Sequence, residues 1–106
     1  DYPQVKMFGG IDHNFVLDGF GTRKVLSVTG DISGITMEMI TNQPGVQLYT
    51  SNELDSANKG DYENGRHDGF CLETQVFPDC VNFRHFPGAT LKKDEEYYHI
   101  TEYRFV

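Results

Sequence analysis

The sequence predicts an all-β fold, and three observations carry that expectation. Polar and apolar residues alternate with a period of two through most of the chain, as they do in a strand with one buried face. Gly, Pro, Asn and Asp gather between the alternating runs, where the backbone has to turn. No stretch holds the i, i+3, i+4 apolar spacing of a long helix.

Taken in order, residues 1–6 read as a linker leading into Met7-Phe8-Gly9-Gly10, as though more chain preceded them. The first expected strand is 11–17, ending at Asp18-Gly19, a pair suited to a tight turn. Strands 24–29 and 35–41 follow, joined through Thr29-Gly30-Asp31 and Ser33-Gly34, which suit tight hairpin connections. Asn42-Gln43-Pro44-Gly45 places Pro before Gly, as a turn does, and strand 46–50 comes after it. Residues 51–68 are rich in Asn, Ser, Asp, Gly and Lys and keep no periodicity, so they read as one long loop, with a short helix at 51–54 as the weaker alternative. A loop of that length in a compact domain usually has a function. Strand 70–77 is followed by a second irregular connection, 78–90, held by Phe83, Phe86 and Pro87. The last strand, 97–106, alternates to the final residue and reads as a C-terminus joined to an upstream part.

The chain has 106 residues, enough for one domain and too few for two. Hydrophobic content of 38% and charged content of 24% fit a folded chain and not a disordered one. No apolar run approaches the roughly 20 residues that span a membrane, and the first six residues lack the basic and apolar regions of a signal peptide. Nine basic residues are scattered among sixteen acidic ones, for a net charge of −7, which excludes a nucleic-acid partner. Asp94-Glu95-Glu96 follows Lys92-Lys93 and reads as a solvated turn. Cys71 and Cys80 form neither a CxxC nor a zinc spacing, so reduced thiols in the cytoplasm are expected.

Candidate chemistry lies on three runs. Along 70–77, Phe70, Leu72, Thr74 and Val76 point to one face, and Cys71, Glu73 and Gln75 to the other. A carboxylate in mid-strand is unusual, because Glu is depleted in strands and rarely buried unpaired. Two readings stay open at this point: a solvent-facing Glu73, or a cleft carboxylate set up for proton transfer. Gln47 and Tyr49 share a face of 46–50; an amide can pair with hydroxyls and a ring can cover a sugar's C–H face, although the same pair also describes ordinary strand surface. In Gly9-Gly10-Ile11-Asp12-His13-Asn14-Phe15 two glycines permit a turn or a close approach, followed by three hydrogen-bonding side chains. Asp12 and His13 face opposite ways in a strand and do not converge on one ion, and His67-Asp68 adds no ligand spacing, so no metal site is expected. Asp12 or Asn14 anchoring the turn through the backbone is the structural alternative. There is no GxSxG elbow and no phosphate-cradling loop.

The runs Gly10-Ile11-Asp12-His13-Asn14-Phe15-Val16-Leu17, Thr41-Asn42-Gln43-Pro44-Gly45-Val46-Gln47-Leu48-Tyr49-Thr50 and Gly69-Phe70-Cys71-Leu72-Glu73-Thr74-Gln75-Val76-Phe77-Pro78-Asp79 resemble aldose 1-epimerases in order and spacing, as do Phe86-Pro87, Leu91 and the closing Tyr103-Arg104-Phe105. The resemblance covers nearly the whole chain. It implies an antiparallel β-supersandwich of which residues 1–106 are the C-terminal part of a single domain. It also implies an enzyme that interconverts the α and β anomers of aldose sugars such as galactose and glucose without a cofactor. By match to the family's motifs, Glu73 is the general base, and Asp12 and Gln47 bind the sugar. The general acid, a histidine, and further sugar-binding residues are implied upstream; none of His13, His67, His85 and His99 occupies their motifs. Ile35 stands where many relatives carry an arginine, so a local polar contact is expected to be missing. The family is several-fold longer than this chain, so its partner is the upstream part of the same protein, and full activity is expected to need it. The competing reading is a non-catalytic carbohydrate-binding or regulatory module of the same fold. An epimerase of phosphorylated hexoses needs basic residues around the pocket, and Arg23, Arg66 and Arg84 are dispersed.

Overall fold

A computed structural model describes residues 2–54, 57–59 and 62–106. Its elements are α1 Pro3–Phe8, β1 Asp12–Val16, β2 Arg23–Thr29, β3 Thr36–Thr41, β4 Gly45–Tyr49, β5 Ala57–Lys59, β6 Tyr62–Asn64, β7 Cys71–Gln75 and β8 Thr101–Phe105. One sheet has the order β1-β4-β7, a second β2-β3-β8, and β5 pairs with β6. β3 is antiparallel to both neighbours, with Thr41 opposite Arg23 on one side and Thr101 on the other. β4 runs opposite to β1, since Thr50, just after β4, donates its N–H to the carbonyl of Ile11, just before β1, at 3.0 Å. The all-β expectation therefore holds.

Five of the six expected strands agree with the observed ones to within two residues at either end. The sixth, expected from residue 97, begins at Thr101. The reason is a side chain that takes the place of a neighbouring strand. Asn42 donates Nδ2 to the Tyr98 carbonyl at 3.0 Å and accepts the Ile100 N–H on Oδ1 at 3.2 Å. Those two backbone groups are satisfied without a ladder.

Three local expectations need correction. The linker expected over residues 1–6 gives way to α1, which Pro3 starts, because its fixed φ suits the first turn and its missing N–H costs no helical bond. Gly9 ends α1 at φ 67, and the Gly10 N–H closes the cap on the Val5 carbonyl at 2.9 Å. The long loop expected at 51–68 contains the hairpin β5–β6, whose three-residue strands are too short for alternation to register; residues 55, 56, 60 and 61 lie outside the described residues. Its weaker alternative, a helix at 51–54, is a single turn with the Leu54 N–H on the Ser51 carbonyl at 3.4 Å. Between β2 and β3 there is one loop instead of two tight turns. Thr29 and Thr36 are the last pair, and Gly30 donates to the Ile35 carbonyl and accepts from Gly34, which has φ 69. The connection through Pro44-Gly45 leads from one sheet to the other, because β3 and β4 belong to different sheets.

By internal contacts the chain divides into Asp1–Phe15 with Gln47–Glu73, and Val16–Val46 with Thr74–Val106. In the second unit Met39 is fully buried and Val46 nearly so. Arg23 ties the loop before β2 by donating to the carbonyls of Asp18 and Gly21 at 2.6 and 2.9 Å. Met39→Ala is expected to cost about 2–5 kcal/mol, as the loss of a buried long side chain does; urea unfolding of the protein with the upstream part that the resemblance implies measures it. On β8 the hydrogen bond from Arg104 holds the Glu102 carboxyl below its usual range. Such a group contributes stability above the ordinary carboxylate pKa and loses it as pH falls through the folded value. Here both partners are exposed to screening solvent, so the contribution is small. Among the described residues no helix is long and apolar enough to cross a membrane.

Candidate functional site

Asp12, Gln47 and Glu73 all fall in the first unit. Asp12 opens β1, Gln47 is the central residue of β4, and Glu73 is the central residue of β7. With the strand order β1-β4-β7, Gln47 lies on the middle strand. Neighbouring strands are spaced by roughly 4.8 Å, so the outer two are about 10 Å apart. That is a span one pyranose ring can bridge.

Two of the three are in direct contact. Gln47 Nε2 donates to Asp12 Oδ1 at 2.7 Å. The bond aligns an amide and a carboxylate on one patch, with Asp12 exposed and Gln47 half-buried. Vicinal hydroxyls, each both donor and acceptor, match such a pair. Glu73 is exposed and alternates with half-buried Leu72 and Thr74, so the expected two faces of this strand are present. The expected core face is only partly covered, since Phe70 is exposed.

Other residues singled out in the sequence have structural roles here. His13 turns away from the Asp12–Gln47 patch and lines, with Val5, Ile11 and Phe15, a groove between α1 and β1 of about 390 Å³. Its Nδ1 accepts the Asp12 N–H at 3.1 Å, and Nε2 faces Gln4 Oε1 at 3.4 Å. Tyr49 Oη accepts the Glu53 N–H at 3.1 Å, which fixes the ring at the start of the connection after β4. Among the described residues no three His, Cys, Asp or Glu side chains converge as metal ligands. Cys71 and Cys80 are both free thiols.

One arrangement was not legible as a site. Thr50 and Asn52 close on the backbone of Ile11, the residue before Asp12. The Ile11 N–H donates to Thr50 Oγ1 at 2.9 Å, Thr50 Oγ1 donates to Asn52 Oδ1 at 2.7 Å, and Asn52 Nδ2 donates to the Ile11 carbonyl at 3.0 Å. His67, at φ 68, faces the Thr50 carbonyl with Nδ1 at 2.7 Å; a carbonyl only accepts, so Nδ1 carries the proton. Gly10 is required beside this ring, because a Cβ there would overlap the Asn52 side chain and come within 2.8 Å of Thr50 Oγ1. The available signal was the glycine pair at one strand's start and an Asn just past the end of another.

Comparison with known proteins decides the family. Residues 3–104 match the family model for aldose 1-epimerase. The chain belongs to the aldose 1-epimerase family. It is 48% identical over 99 residues to the galactose mutarotase of Bos taurus, and 46% identical over 101 residues to that of Homo sapiens. Each alignment covers 91% of this chain and 29% of the relative. The aldose 1-epimerase of Escherichia coli (strain K12) is 29% identical over 102 residues, covering 92% of this chain and 30% of that protein. The chain thus spans under a third of the length of these relatives, and corresponds to their C-terminal portion.

Proposed function

We propose that this chain is the base-bearing, sugar-binding part of an aldose 1-epimerase that interconverts the anomers of hexoses such as galactose and glucose. The observation that carries the proposal is the Asp12–Gln47 pair at 2.7 Å on adjacent strands, with Glu73 on the next strand of the same sheet. Residues 1–106 belong, in this reading, to a single sandwich domain completed by the upstream part of the same protein.

The mechanism follows from proton bookkeeping. Glu73 takes the proton of the C1 hydroxyl while an acid, a histidine supplied by the upstream part, protonates the ring oxygen. The C1–O5 bond breaks and a carbonyl forms at C1. Rotation about C1–C2 presents the other carbonyl face, and closure returns both protons. Asp12 and Gln47 hold hydroxyls away from the reacting carbon, so the opened chain stays in register with base and acid. Transfers of this kind need no cofactor. An exposed Glu73 gains its dry surroundings when the upstream part covers it. Cytoplasmic residence belongs to the same proposal and is supported by the two free thiols.

Isothermal titration of D-galactose into the protein joined to its upstream part tests the binding role. Asp12→Asn is expected to weaken binding about tenfold, the low end of what one hydrogen bond to a charged group is worth. Unchanged affinity would remove Asp12 from the sugar site.

A further inference from the structure

We infer that Thr50 and Asn52 are positioning residues for the sugar site: their ring of hydrogen bonds on Ile11 sets where Asp12 stands against Gln47. The inference rests on the proposed sugar-binding role of Asp12 and deepens it.

Asp12 is exposed, and its position depends on the backbone that carries it. That backbone is held on both sides at the preceding residue. Thr50 Oγ1 receives the Ile11 N–H at 2.9 Å, and the Ile11 carbonyl receives Asn52 Nδ2 at 3.0 Å and the Thr50 N–H at 3.0 Å. The ring closes through Thr50 Oγ1 to Asn52 Oδ1 at 2.7 Å. Each polar atom of the Asn52 side chain is therefore engaged, and Asn52 is only 7% exposed. A buried amide with its oxygen and nitrogen both bonded has one orientation, so it transmits position instead of averaging over several.

The ring also couples the two sugar-binding residues. Thr50 comes three residues after Gln47, just past the end of β4, and Ile11 immediately precedes Asp12, at the start of β1. Clamping Thr50 to Ile11 fixes the offset between β1 and β4, and that offset decides whether Gln47 Nε2 meets Asp12 Oδ1 at 2.7 Å. His67 holds the far side of the same joint. Its Nδ1–H bonds the Thr50 carbonyl at 2.7 Å and its backbone N–H the Ser51 carbonyl at 3.1 Å. His67 keeps φ 68, a left-handed conformation that a non-glycine residue adopts at a cost. Gly10 completes the device by leaving room for Asn52 against β1. None of these side chains needs to touch the sugar.

The test is steady-state mutarotation of D-galactose by the protein joined to its upstream part, with thermal unfolding measured on the same samples. Thr50→Val keeps the side chain's shape and removes both the acceptor for Ile11 and the donor to Asn52. KM is expected to rise about tenfold with kcat within about twofold, while Thr50→Ser restores the wild-type KM. Asn52→Asp, which still accepts from Thr50 but no longer donates to Ile11, is expected to raise KM in the same way. A variant that melts earlier but keeps the wild-type KM would overturn the inference, as would loss of fold in both variants, because the ring would then hold only the fold. Asp12→Asn run in parallel separates the two ways of failing. An unchanged KM there sinks the sugar-binding reading and this inference with it; a raised KM there beside an unchanged one in Thr50→Val overturns the inference alone.

Discussion

Glu73→Gln, made in the protein joined to its upstream part, is expected to lower the rate of galactose mutarotation by about 10²–10⁴-fold, the usual worth of one general acid–base group. The substitution isolates the chemistry. Glutamine keeps the size and planar shape of glutamate and cannot accept the C1 hydroxyl proton. Within these 106 residues it removes no contact: Glu73 is exposed, and among the described residues no hydrogen bond engages its carboxylate. In the joined protein, where the upstream part is proposed to cover Glu73, thermal unfolding of the same sample separates loss of fold from loss of chemistry. Galactose affinity should be kept, because the Asp12–Gln47 pair is on other strands. Retained binding with lost turnover assigns Glu73 to the reaction. Retained turnover would leave the chain a carbohydrate-binding module, or would move the base elsewhere.

The second large effect concerns folding. The 106 residues alone are expected to show no cooperative thermal transition and to bind a hydrophobic dye strongly; joining the upstream part should restore a sharp transition and abolish dye binding. Met39 and Val46 are the buried hydrophobic residues of the described chain, whereas Phe20, Ile32, Met7, Val81 and Tyr2 are each more than three-quarters exposed. Burial of apolar surface contributes roughly 25 cal/mol per Å². A domain of this size depends on a well-covered apolar core to offset the backbone entropy lost on folding, and few of this chain's hydrophobic side chains are fully covered. Apolar faces on both units therefore need cover, and the relatives, of which this chain represents 29%, have the length to supply it. A cooperative transition of the isolated chain, with no dye uptake, would contradict this account.

Strand positions were legible from alternation in the sequence, which the burial of this chain records only in part: β7 alternates, whereas β1 is half-buried at His13 and Asn14 and exposed on either side of them. Thr36–Thr41 illustrates the limit of the signal, since it is half-buried along most of its length and still alternates toward Met39. What alternation could not reveal were features made by single residues. Pro3 and Gly9 make α1 from a stretch with no apolar stripe. Asn42 stops β8 from starting at residue 97 by satisfying the backbone at Tyr98 and Ile100. The three candidate site residues were legible only as a family pattern. On periodicity alone the solvent-facing reading of Glu73 was the stronger of the two, and its exposure in this chain agrees with that geometry as much as with a site awaiting its cover. The contact between Asp12 and Gln47 was not derivable from spacing, because the two residues are 35 apart in sequence and meet only through the offset of their strands. Thr50 and Asn52 were hidden for a related reason. They lie at the border of a strand and a polar connection, where composition predicts a loop and says nothing of what the side chains reach.

The most direct test of the central claim is polarimetry of freshly dissolved α-D-galactose in the presence of the protein joined to its upstream part. The account predicts that optical rotation relaxes to its equilibrium value faster than in buffer, in proportion to enzyme concentration, with the same end point. A relaxation that superimposes on the buffer trace at every concentration would contradict it.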